Sequence, residues 1–129
     1  MKWIATLLAL VTSGVPATAC VKDALRLTTK QAVPVEIFAR LEPITVSQPF
    51  DLTLTLCDAP PGGIGRIEVD AWMPKHKHGM NYSPSVQQAA AGHYDVSNMV
   101  FHMPGLWQLR VSLAVEDQRS THLLDITVK

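Results

Sequence analysis

Eight of the nine imidazole and thioether side chains that follow the initiator methionine lie between Met73 and Met103. The densest run is Met73-Pro74-Lys75-His76-Lys77-His78-Gly79-Met80; a second is Phe101-His102-Met103-Pro104-Gly105. Imidazole nitrogens bind copper, zinc, nickel and iron, whereas thioethers select the soft cuprous ion, so a His/Met mixture points to copper before zinc. Hard ions such as calcium or magnesium need a carboxylate cluster, and this segment has none. His76, His78 and Met80 are the first candidate metal ligands, with His102 and Met103 completing the shell. Lys75 and Lys77 oppose a bound cation electrostatically. Met73 and Met99 fall on inward-facing stripes and read as core packing. His93 follows Gly92 at a turn and reads as solvated; His122, alone near the last strand, reads as structural.

These ligands need a frame, and the chain around them alternates with period two. Phe50, Leu52, Leu54 and Leu56 share one face of a strand that Asp51, Thr53 and Thr55 oppose. Cys57 to Gly63 ends it with a dense turn signal. Ile67, Val69, Ala71 and Met73 form the next apolar face, with Glu68, Asp70 and Trp72 outward. Trp107, Leu109, Val111, Leu113 and Val115 form another, and Glu116-Asp117-Gln118 is a tight polar turn. Leu124, Ile126 and Val128 close the chain as a final strand. Weaker strands are expected at 34–40 and 86–91. A further strand is expected over 93–102, where Tyr94 and Val96 lose register with Met99 and Phe101, the sign of a bulge. About seven strands with turns at this spacing predict an all-β fold, an immunoglobulin-like antiparallel β-sandwich. Pro74 ends a strand and Gly79 permits a turn, which puts His76 and His78 on a loop at one end of the sandwich. Extended backbone there would send both side chains to one side. The Met73 strand is expected to pair with or face the 93–103 strand, bringing the two His/Met clusters to one end.

Residues 1–19 read as a secretory signal: Lys2, an apolar core from Trp3 to Val11, then Ala17-Thr18-Ala19 as a small-x-small cleavage site. That apolar run is about half of what a membrane span requires. The expected product is one extracytoplasmic, periplasmic domain over 20–129, beginning at Cys20. Lipid attachment to Cys20 is one reading. The two cysteines and an oxidising compartment favour the other, a Cys20–Cys57 disulfide. The 129-residue chain has 11 Lys+Arg against 11 Asp+Glu, which leaves no electrostatic footprint for nucleic acid.

Catalytic signatures are absent from the sequence. No serine sits in a Gly-x-Ser-x-Gly elbow, and Pro60 to Gly65 lacks the Lys-Ser/Thr of a phosphate-binding loop. The chain is therefore expected not to be an enzyme.

Met73-Pro-x-His76-x-His78-Gly79, Pro84-x-Val86, Gly92-x-Tyr94 and Phe101-x-Met103-x-Gly105-x-Trp107 together resemble the YtkA-like domain family, over residues 66–115. The resemblance implies a small exported or membrane-anchored β-sandwich, related to FixH-like modules and found alone or beside copper-handling machinery. Many members carry Gly between the two histidines, where this chain has Lys77. Two functions are expected to compete. One is copper binding through the His/Met-rich end. The other is a metal-free interaction module of an envelope complex, contacting a membrane or envelope protein through loop 74–84 with exposed Trp72 as anchor. The oligomeric state is left open.

Overall fold

The computed structural model describes residues 20–129, and the leader expected over 1–19 lies outside the described residues. Ten strands run in chain order: β1 (Leu25–Arg26), β2 (Thr28–Thr29), β3 (Glu36–Leu41), β4 (Pro49–Cys57), β5 (Glu68–Met73), β6 (His78–Gly79), β7 (Ser85–Ala90), β8 (His93–Val100), β9 (Gly105–Val115) and β10 (Gln118–Val128). They form two antiparallel sheets of five, ordered β1-β3-β4-β8-β7 and β2-β10-β9-β5-β6, an all-β sandwich. Three strands more than the sequence pattern implies are present. They are β1, β2 and β6, each of two residues, too short to leave any periodicity.

The alternating segments fold as their patterns require. Phe50, Leu52, Leu54 and Leu56 of β4 are buried, as are Ile67, Val69, Ala71 and Met73 leading into and along β5. Along β9, Trp107, Leu109, Val111, Leu113 and Val115 turn inward, each at most 3% exposed. Burial of such side chains stabilises by about 1.5–3 kcal/mol each, and this continuous apolar layer holds the sheets together. Toward one end of it Phe101 stacks on Trp107 (centroids 4.6 Å apart, planes 5° apart), while Phe50 meets Phe101 edge-on at 5.0 Å.

The expected bulge lies where β4 meets β8. Phe50 pairs with Met99 and Leu52 with Val96, so Ser97 and Asn98 together oppose Asp51. Asn98 takes the left-handed conformation (φ 65°) and its N–H donates to Asp51 Oδ1 at 3.4 Å. The extra residue lets Val96 and Met99 both reach the core.

The closing strand is longer than its apolar pattern, beginning at Gln118 instead of near Leu124. Ser120 and His122 occupy inward positions and interrupt the apolar stripe. Val115 pairs with Gln118 across Glu116 (φ 47°) and Asp117 (φ 68°), a two-residue turn of the type that matches strand twist.

Cys20 and Cys57 form a disulfide that ties the start of the described chain to the end of β4. No helix among the described residues is long and apolar enough to cross a membrane.

Candidate metal centre

The β5–β6 hairpin builds the first half of the site. Trp72 pairs with Gly79 and Met73 with His78, leaving Pro74 to Lys77 as the loop. Lys77 is left-handed (φ 53°) and its N–H donates to the Met73 carbonyl at 2.8 Å, closing one tight turn. The extended backbone expected between His76 and His78 is therefore replaced by a turn. The turn still gathers the rings, with centroids 5.7 Å apart and planes tilted by 30°. His76 is exposed at the tip, and His78 is half-buried on the first rung of β6.

The second half comes from the crossing between sheets. β8 belongs to the first sheet and β9 to the second, so residues 101–104 span the end of the sandwich. β5 does not pair with β8; it pairs with β9 and faces the sheet that contains β8. The crossing places the His102 ring 5.2 Å from that of His78. His76, His78 and His102 thus form a row at one end of the molecule, the meeting of clusters that the strand order implied.

Trp107 forms the inner wall of this row. Its ring lies 5.4 Å from His102 and 6.1 Å from His78, near-perpendicular to both. Its Nε1–H donates to the Met103 carbonyl at 3.0 Å, fixing the crossing segment against β9. The sequence reading assigned Trp107 to the core only. Its position four residues past Met103, on the first stretch of chain after the His102-Met103 pair, is the signal that it also borders the site.

Two details bear on ligand chemistry. His78 Nδ1 lies 3.3 Å from the Gly79 carbonyl, a contact that the Nδ1–H tautomer makes and that keeps Nε2 as the ligating nitrogen. His102 Nδ1 is buried and has no hydrogen-bond partner. A buried polar atom without a partner is costly, and such atoms mark places where water, an ion or a ligand belongs.

With metal–nitrogen bonds of about 2 Å, two imidazoles on one ion hold their centroids roughly 4.5–6.5 Å apart. Both spacings in the row fall in that range. The ring orientations do not yet converge: among the described residues no group of three His, Cys, Asp or Glu donors surrounds a common point.

The thioethers divide. Met73 (1% exposed) and Met99 (0%) are core residues. Met73 passes so close to Gly105 (φ 124°) that a β-carbon there would lie 3.0 Å from its methyl. Met80 and Met103 are half-buried and pack against the core. Lys75 and Lys77 are exposed at the tip.

The remaining histidines stand apart. His93 opens β8, the end away from His102, with its Nδ1 3.4 Å from Thr55 Oγ1. His122 is 1% exposed, its Nε2 lies 3.1 Å from Ser120 Oγ, and burial pushes its pKa down. Trp72 is a correction: it is half-buried rather than free. Its Nε1–H donates to Gln108 Oε1 at 3.3 Å, and the Arg110 guanidinium lies 5.2 Å over its ring. In loop 74–84 the large exposed apolar side chain is Tyr82, at 60%.

Fold and site together define a two-sheet β-sandwich with a histidine row at one end. The YtkA-like family model matches residues 30–112, and the chain belongs to that family. Searches of curated proteins and of solved structures return no match.

Proposed function

We propose that this protein is an exported, non-catalytic sandwich that binds a soft metal ion, copper, at the histidine row. Membership of the YtkA-like family and the sandwich fold fit such a module. The observation that supports the reading is the row of His76, His78 and His102 rings, neighbouring centroids 5.7 and 5.2 Å apart, drawn from two separate segments, with an unpartnered buried nitrogen on His102. His78 Nε2, His76 and His102 supply the imidazoles. Met80 or Met103 supplies the soft donor that separates copper from zinc. Asp and Glu are absent from both ligand-bearing segments. A cuprous ion, with one charge, therefore suits the Lys-flanked tip better than a divalent ion.

Cuprous ion is titrated anaerobically against a chromogenic competitor, with Trp107 fluorescence followed in parallel. One equivalent is expected to bind and to change the indole emission. The His76→Ala/His78→Ala double variant is expected to bind at least about 100-fold more weakly, since loss of supporting contacts alone costs 10–100-fold. Equal binding by the double variant removes the site.

A further inference from the structure

The second sheet ends in a strand that stops early. β6 lends β5 only His78 and Gly79, after which the chain leaves through 80–84 for the other sheet. Beyond that point one edge of β5 is uncovered, and a cleft of about 670 Å³ runs along it. Val69 and Ala71 line one side, Val86 and Gln88 of β7 with Tyr94 of β8 line the other, and Met80 lies at the end next to Gly79.

Strand alternation decides which backbone groups face this cleft. The carbonyls of Met73 and Ala71 point to the β6 side, accepting from the N–H of Lys77 at 2.8 Å and of Met80 at 3.3 Å. A period of two puts the N–H and C=O of Val69 on the same edge. There β5 has no neighbouring strand, and among the described residues Val69 has no backbone partner on that side. The cleft is the place a longer β6 would fill.

We infer that this cleft docks an extended segment of a partner protein, which adds to β5 in line with β6. A free donor and acceptor on one strand residue, with Met80, Val86 and Tyr94 beside Ser83 and Gln88 in the facing wall, is an arrangement that strand addition recognises: main-chain bonds give affinity, and alternate side chains fill the pockets. Charge selects a neutral segment. Residues 83–92, which include β7, carry no Asp, Glu, Lys or Arg. The rim charges are already matched, Arg110 with Asp70 at 2.8 Å and Arg66 with Glu68 at 3.7 Å. The partner segment is therefore uncharged, with apolar residues at alternate positions toward Met80, Val86 and Tyr94.

The test uses the metal-free, disulfide-intact protein, isotopically labelled. The probe is a capped heptapeptide of alternating valine and threonine. Amide shifts are expected at Val69, Ala71, Val86 and Tyr94, together with at least tenfold slower hydrogen exchange at the Val69 N–H. The same peptide N-methylated at alternate residues, in both phases, is expected to lose binding in the phase that blocks the pairing edge. Val86→Lys, inside the cleft, is expected to weaken binding at least tenfold, and Gln87→Lys, on the outer face, to leave it unchanged. The His76→Ala/His78→Ala variant is expected to bind the peptide as wild type does, which separates this proposal from the copper reading. No response at Val69 with millimolar peptide, undiminished binding of both N-methylated forms, or sedimentation showing that the cleft is filled by a second copy would each overturn it.

Discussion

Lys77 shows how one residue sets both the geometry and the electrostatics of the tip. Its φ of 53° lies in the region that favours glycine, and it is the position where many YtkA-like sequences place glycine between the histidines. The family pattern is thus explained by the turn that brings the two rings together. Lys77→Gly relieves left-handed strain of about 1 kcal/mol but adds unfolded-state entropy of similar size, so the urea midpoint is expected to stay nearly constant. Removing the charge is expected to raise cuprous affinity a few-fold, by about 0.5–1 kcal/mol of Coulomb energy. His122 makes a different prediction. Burial holds its pKa below the ordinary value of 6.5. As pH falls through about 6.5 the unfolded chain takes up a proton that the folded chain refuses, so the stability His122 contributes is complete above that pH and is lost below it. Urea unfolding at pH 7.5 and pH 5 is expected to show this loss, and His122→Gln is expected to reduce the difference. The buried Ser120–His122 pair was legible only as an isolated histidine, because nothing in its neighbours says that two polar residues occupy core positions.

At the scale of strands, the legible features were those with enough residues to show a period. β4, β5 and β9 each repeat an apolar face three times or more, and each is buried as that repeat requires. The bulge was legible because Val96 and Met99 cannot share a face of a regular strand. The register of Asn98 against Asp51 explains how they do. Asn98→Val is expected to destabilise by about 1–3 kcal/mol, measured by urea unfolding, since a β-branched residue tolerates a left-handed backbone poorly. The two-residue strands were not legible, and β6 matters most among them. Its brevity turns the His-x-His spacing into a turn, and it leaves β5 open along the cleft. Trp72 was misplaced for a related reason: alternation assigns it outward, but the outward face of the second sheet carries its own ladder of Gln108, Arg110 and Asp70, which covers it.

For the molecule as a whole, two ties hold the crossing segment of the candidate site against the second sheet. The aromatic stack of Phe101 on Trp107 joins the crossing segment to β9, and the Trp107 hydrogen bond to Met103 locks that join. The disulfide closes the opposite part of the chain over a separation of 37 residues. Its reduction is expected to cost about 3–4 kcal/mol, read as a lower urea midpoint with the sandwich still folding cooperatively. That bridge was legible from the even cysteine count, and the meeting of the two His/Met segments from the order of strands. The role of Trp107 at the site was not, because an inward tryptophan on a period-two strand looks the same whether it fills the core or walls a site.

X-ray absorption at the copper edge, on protein loaded with one equivalent of cuprous ion, tests the central claim most directly. The account predicts two or three imidazole nitrogens at about 2.0 Å and a sulfur at about 2.3 Å. It also predicts that the imidazole signal diminishes in His102→Ala and that the sulfur disappears in the Met80→Leu/Met103→Leu variant. A copper shell without imidazole scattering, or one unchanged by these substitutions, contradicts it.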